Sequence, residues 1–268
     1  MRLIVDHRTT YRFTAPQSRL IQLLRVNPED THDQSVASWT VHVDCDARFR
    51  PGRDGFGNST TMLYVDGPID GIEITVSGEV LTNPSRGIVH GGEETLPPEL
   101  FLRATALTAA DQAIWDFAQT IGDGVQLATL HALNGTIHQR FALDRGRPIT
   151  GQTAATAFQR ETATPRDLTH IFVAAARCLG IPARYVSGYS PVCFGADSSP
   201  APHGWAEAYV EDLGWVAFDP CTGLSADEAY VRVAVALDAA GAAPVAGSRL
   251  GEGEERLDVD LHVDRAGH

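Results

Sequence analysis

The 268-residue chain is short of cysteine, with four, at positions 45, 178, 193 and 221. They are widely spaced and form no CxxC pair. A disulfide framework needs denser, paired cysteines in a shorter chain, and a structural zinc site needs close ligand pairs. Positive charge is also scarce: 21 Lys+Arg face 34 Asp+Glu, a formal net charge of −13. That sign excludes nucleic acid or an anionic membrane surface as the main partner, because both reward a basic face. No stretch reaches the roughly 18–20 apolar residues of a membrane span. Met1-Arg2-Leu3-Ile4-Val5-Asp6-His7 holds too little apolar sequence for a signal peptide. The expectation is a cytoplasmic protein with four free thiols, no membrane or nucleic-acid partner, and no cofactor or metal. Each thiol taken alone reads as a small buried hydrophobe, so the question is whether one of them is a nucleophile.

What is present is enough apolar residue, 43%, to build ordinary cores. The length allows one large domain or two smaller ones. The first 88 or so residues read as β. Trp39-Thr40-Val41-His42-Val43-Asp44-Cys45 and Ile72-Glu73-Ile74-Thr75-Val76-Ser77 alternate apolar and polar with period two, as half-buried antiparallel strands do. Asp54-Gly55-Phe56-Gly57-Asn58 supplies turn chemistry between them. Short strands with frequent turns predict a sandwich or small barrel. Residues 84–107, with Gly91, Gly92, Pro97 and Pro98, read as a connector with a poor core.

The pattern then turns helical. Thr108-Ala109-Ala110-Asp111 has the form of a capping box, and Ile114, Phe117, Ala118 and Ile121 follow at helical spacing. A second helix is expected from about 125 to 142, with His131 and His138 near its stripe as packed or surface residues. The third helix opens on Thr164-Pro165-Arg166-Asp167, Thr as N-cap and Pro at the first helical position. It carries Ile171, Phe172, Ala175, Cys178 and Leu179 as its apolar stripe and ends at Gly180 and Pro182. Three strands should follow: 184–189, 203–210 and 214–219.

If Glu211-Asp212-Leu213 is a hairpin loop, Trp205 lies opposite Asp219 and His203 sits on the next diagonal. A histidine oriented by an aspartate from the neighbouring strand is the base half of a nucleophile–His–Asp triad. On spacing alone, a structural hydrogen bond between the two is the favoured reading.

Four segments resemble the bacterial transglutaminase-like family: Asp167-Leu168-Thr169-His170, Leu179-Gly180-Ile181-Pro182-Ala183-Arg184-Tyr185-Val186-Ser187-Gly188-Tyr189, His203-Gly204-Trp205-Ala206-Glu207-Ala208-Tyr209 and Gly214-Trp215-Val216-Ala217-Phe218-Asp219-Pro220. The Phe56-Gly57-Asn58 turn and the tail from Asp227 to Val235 look like one bacterial branch of it. The resemblance implies an α+β fold: an N-terminal antiparallel β-sandwich (1–88), a linker (89–107), a papain-like core (108–225) and a C-terminal β extension (226–268) packed on the core or the N-terminal domain. It also implies His203 as catalytic histidine and Asp219 as catalytic aspartate; Arg166, Tyr189, Trp205 and Glu207 are the candidate substrate-binding residues.

The nucleophile does not carry over. Where the family has a Gly-Val-Cys-Gln-Asp type motif, this chain reads Ala163-Thr164-Pro165-Arg166-Asp167, so Pro165 takes the cysteine's place. A helix N-terminus lowers a thiol's pKa and offers N–H groups to an oxyanion. Proline keeps the helix start but brings neither a nucleophilic atom nor an N–H. Arg166 beside it would add charge at the pocket mouth, or simply be solvated at a helix end. Cys193, on the loop before His203, is a possible replacement nucleophile. Thr164 is better explained as an N-cap, Cys178 as core, and Cys221 could approach the site. A metal reading with Asp167, His170, His203 and Asp219 has no recognisable spacing.

Two functions follow. One is a pseudoenzyme whose former cleft binds a peptide, protein or small amide or ester. The other is a non-canonical hydrolase or acyltransferase that works on amide or ester bonds with His203 and Asp219, using Cys193, water or a substrate nucleophile.

Overall fold

The computed structural model describes residues 1–92, 94, 96–122, 124–191 and 202–265. Cys193 lies outside the described residues. The N-terminal region is dominated by two very long strands, β1 (Arg2–Leu24) and β4 (Ser59–Thr82), with β2 (Gln34–Val43) and β3 (Arg48–Arg53) between them in sequence. Burial along β1 alternates: Leu3, Val5, His7, Thr9, Tyr11 and Phe13 point inward and their neighbours outward. β1 and β4 pair antiparallel from Arg2↔Leu81 to Leu24↔Thr61, with register irregularities between Arg12 and Arg19. A Cβ on Gly67 would fall 1.9 Å from the Gln17 carbonyl oxygen, so only glycine admits this approach of the two backbones. β2 pairs with the C-terminal half of β4 and β3 with its N-terminal half. Tyr11, Ile72, Ile74 and Val76 from one half share a core with Leu20, Leu24, Leu63 and Val65 from the other. The two halves of the sheet thus share an apolar centre.

The second region begins after a 3-10 turn (Pro98–Leu102) and contains α1 (Gln112–Ile121), α2 (Gln126–Arg140), β5 (Ala142–Leu143), α3 (Ala154–Phe158), β6 (Thr162–Ala163) and α4 (Pro165–Cys178). A four-stranded antiparallel sheet follows: β7 (Ala183–Tyr189), β8 (His203–Val210), β9 (Gly214–Phe218) and β10 (Val231–Ala236), in the order β10-β7-β8-β9. α4 is the central helix. The sequence predicts an apolar stripe, whereas all ten residues from Asp167 to Ala176 are buried, including Thr169 and His170. A helix enclosed on every side needs partners for its polar side chains, and these partners build the site.

The chain then returns to the N-terminal sheet. β11 (Val245–Leu250) pairs with the second half of β1 and β12 (Glu255–Arg265) with the first half. The C-terminal stretch therefore divides, β10 completing the core sheet and β11 and β12 covering an edge of β1.

Two local expectations need correction. α1 is capped by Asp111, whose side chain accepts from the Ile114 N–H, and not by Thr108. Thr108 is buried in a turn with Thr105, and its hydroxyl accepts from Arg177. The connector is not a poor core either. Phe101 is 1% exposed, meets Trp215 edge-on at 5.2 Å between ring centroids, and its carbonyl accepts from Arg177 Nε. Gly and Pro around it signalled a linker because the packing that buries Phe101 comes from residues far along the chain.

Candidate active site

His203 opens β8. The β8–β9 ladder closes at Ala206↔Phe218, one step short of Trp205 and Asp219, which is the register that a Glu211–Leu213 loop predicts. Asp219 is the first residue past β9 and is held by a bridge to Leu224. His203 Nε2 lies 2.8 Å from Asp219 Oδ2, with the two residues 2% and 0% exposed. Oδ2 also accepts from the Tyr230 hydroxyl at 2.7 Å, and Oδ1 accepts from the Cys221 N–H at 2.9 Å. Burial pushes the Asp219 carboxyl up, but the His203 charge and the bonds from His203, Tyr230 and the Cys221 N–H outweigh it and hold the carboxyl below its ordinary range. With Nε2–H committed to a carboxylate, the neutral ring carries its lone pair on Nδ1. The ring also packs near-parallel to Trp205 (6.0 Å, 24°), and Trp205 meets Tyr230 edge-on at 5.3 Å. Asp219, Trp205 and Tyr230 together leave the imidazole little rotational freedom.

α4 is tied to this pair through Thr169. Its Oγ1 lies 2.8 Å from the Pro165 carbonyl oxygen and 3.0 Å from that of Gly204, and its single proton serves both. Pro165 is thereby placed beside the residue that follows His203. The Thr164 hydroxyl accepts from the Asp167 N–H at 3.3 Å and donates to Asp167 Oδ2 at 2.7 Å. Asp167 reaches back to the Thr164 N–H, completing the capping box that the sequence predicts. Gln152 donates to the same carboxylate at 3.0 Å. The Thr164 hydroxyl is fully used by this cap.

The other residues assigned to the site fall in different places. Trp205 belongs to the His203 cluster. Arg166 donates to the Ile149 carbonyl and lies 3.4 Å from Asp167 Oδ1. Tyr189 is turned toward the N-terminal sheet, where its hydroxyl lies 3.1 Å from His7 Nδ1. Glu207 is 0% exposed and ion-paired at 2.7 Å with both Arg184 and Arg232. Burial raises its pKa, but the two guanidinium groups hold it at about 2. Arg184 also takes Glu94 in a two-point contact and stacks 3.8 Å over Trp215. Glu207 and Tyr189 thus brace the core and offer no unpaired group to a ligand. Cys178 packs at the rim of the helical core with its thiol pushed up by burial, and Cys221 is buried in that core. No group of three or more His, Cys, Asp or Glu residues among the described residues could hold a metal ion.

Tyr230 and Thr169 are functional neighbours that the sequence reading left without a role. Tyr230 stands in a quoted tail motif, but only the return of β10 beside β7 brings it to Asp219.

The family model of the bacterial transglutaminase-like N-terminal region matches residues 3–81, and that of the transglutaminase-like superfamily core matches residues 116–220. An uncharacterized protein of Mycobacterium leprae is 24% identical over 98% of this chain and 99% of its own length. One of Mycobacterium tuberculosis is 22% identical over 97% of this chain and 91% of its own. Among solved structures, a "putative cysteine protease" from Cytophaga hutchinsonii superposes with a TM-score of 0.77 at 19% identity, over 100% of this chain and 92% of its own, so the two share a fold. Among the described residues no helix is long and apolar enough to cross a membrane. The two family models lie in order along the chain and together take in well over half of it: the protein belongs to the transglutaminase-like superfamily, with the bacterial N-terminal region ahead of its core.

Proposed function

We propose that this protein binds a peptide or amide group at the His203–Asp219 site without using a cysteine at the start of α4. The observation that supports this is Pro165. It opens α4 where the family motif has its thiol, and Thr169 links its carbonyl to Gly204 next to His203. Proline supplies no nucleophile and no N–H for an oxyanion. The Thr164 hydroxyl is spent on Asp167. What remains is an imidazole held by a buried carboxylate.

A second reading keeps catalysis. Three hydrogen bonds on Asp219 are more than a spectator histidine needs, and they suit a general base that must become imidazolium. That reading needs Cys193, water or a substrate nucleophile as the attacking group.

The two readings separate on a short glutamine-containing peptide amide assayed for ammonia release and for binding. The binding reading expects no turnover by the wild type, and weaker binding in His203→Ala. Turnover that disappears in His203→Ala would overturn it. If Cys193→Ala also abolishes both turnover and iodoacetamide labelling, the attacking group is that thiol.

A further inference from the structure

We propose that Arg166, His170 and Tyr185 form a carboxylate-binding subsite beside His203. The inference rests on the reading that a ligand occupies the His203 site, and it names the chemistry of that ligand.

His170 is 1% exposed, and its Nε2 accepts the Ala239 backbone N–H at 3.0 Å. A ring nitrogen that accepts cannot carry the proton, so the neutral ring bears it on Nδ1. Nδ1 is buried and has no hydrogen-bond partner among the described residues. One helical turn earlier, Arg166 spends Nη2 on the Ile149 carbonyl and Asp167, yet its Nε is buried and also unpartnered there. Tyr185, from β7, faces His170 with ring centroids 5.4 Å apart. Its hydroxyl lies where a Cβ on Gly204 would stand, 1.8 Å away. Glycine after His203 is what leaves this room.

Two buried donors on α4, Arg166 Nε and His170 Nδ1, therefore have no partner among the described residues, and the Tyr185 hydroxyl from β7 stands over Gly204, next to the histidine of the site. A buried donor left unmatched costs about 1–3 kcal/mol, and two on one helix, with a tyrosine hydroxyl near them, mark a position for an acceptor-rich group. A carboxylate offers about four lone-pair sites and no donor. Arg166 contributes a guanidinium, the group whose planar geometry suits that partner. The nearest acids do not fill the role: Asp167 is used by Thr164 and Gln152, and Asp238 accepts the Gly241 N–H. Arg177 is engaged by the Phe101, Ala183 and Leu237 carbonyls and Thr108. The Arg166 side chain keeps 23% exposure, which opens the subsite to solvent.

A carboxylate can come from a peptide C terminus or from an acidic side chain, and three probes distinguish these: N-acetyl-Gln-Gly with a free C-terminal carboxylate, the same peptide amidated, and amidated N-acetyl-Glu-Gly. Binding to the full chain is measured by calorimetry, with the 15N resonance of His170 Nδ1 as a second readout. We expect one of the two acids to bind at least tenfold tighter than the neutral peptide and to shift Nδ1. Arg166→Gln should erase the preference, and Tyr185→Phe should reduce it about threefold. His203→Ala should weaken all probes alike. Equal binding of acid and neutral probes, or a preference that survives Arg166→Gln, overturns the subsite while leaving the parent reading intact. Failure of every probe to bind overturns both.

Discussion

Asp219 shows how much one buried charge requires. At 0% exposure an ionised carboxylate needs partners, and among the described residues His203, Tyr230 and the Cys221 N–H meet it. Tyr230→Phe deletes one of those bonds with almost no change in volume. It should cost about 1–3 kcal/mol in urea unfolding and move the Asp219 carboxyl upward, read by 13C titration of the carboxyl. An unmoved Asp219 titration would show that Tyr230 is not its partner in solution. Glu207 is another buried carboxylate, and Glu207→Ala would take the paired carboxylate from Arg232 and leave Arg184 with Glu94 alone. Breaking one member of a buried ionic group costs about 3–5 kcal/mol, so this variant should be among the least stable of any made in the core. Urea unfolding that leaves it close to wild type would contradict the ion-pair assignment.

His7 shares the pH dependence with His170, whose pKa burial also lowers to about 4. His7 is 2% exposed between Tyr189 and Thr9, and burial holds its pKa at about 4 against the ordinary 6.5. Between those values the unfolded chain binds the extra proton, so stability is complete above pH 6.5 and falls as pH drops toward 4. The loss reaches up to about 3 kcal/mol, at roughly 1.36 kcal/mol per unit. Tm measured from about pH 7.5 to about 4.5, across that window, should fall, and His7→Gln should flatten the fall. An unchanged slope in the variant would contradict the assignment.

Secondary elements divide by how local their causes are. Thr164-Pro165-Arg166-Asp167 is readable as a helix start because every bond of the capping box lies within four residues, and α4 begins there. The hairpin from β8 to β9 is readable for the same reason, which is why the His203–Asp219 encounter could be anticipated from spacing. Asp111 replaces Thr108 as the cap of α1 because Arg177, on another helix, claims the Thr108 hydroxyl. Phe101 looked like part of a linker because its burial depends on Trp215. Glu207 and Tyr189 share segments with His203 and the family motif, yet their partners Arg232 and His7 arrive from strands that no local pattern links to them. Phe101→Ala should therefore cost about 3–5 kcal/mol, the value for a packed aromatic. A linker residue would cost almost nothing in the same denaturation experiment.

At the scale of the whole molecule, the two ends of the chain meet in one sheet. β12 pairs with β1 from Leu3↔Arg265 to Phe13↔Glu255, and the apolar cluster of Leu3, Val5, Val80, Tyr189, Val231 and Leu261 joins that sheet to the core. Ending the chain at Ala240 would remove β11 and β12 and leave one edge of β1 unpaired. Such a truncation should aggregate on purification, and a monodisperse, folded product would contradict the described pairing. All 21 basic side chains are arginine, so the protein has no lysine amine of its own to serve as an acyl acceptor.

The proposed site pairs His203 with Asp219 and has proline, not a thiol, at the head of α4, and Pro165→Cys tests that proposal most directly, with the glutamine peptide as substrate and mass spectrometry as readout. A thiol introduced there can attack the amide carbonyl, release ammonia and leave a thioester on its own sulfur. The expected result is this acyl adduct in the variant, lost again when His203→Ala is added, and no adduct in the wild type. An acyl adduct in the wild type, or a Pro165→Cys variant whose introduced thiol is no more reactive than Cys178, would contradict it.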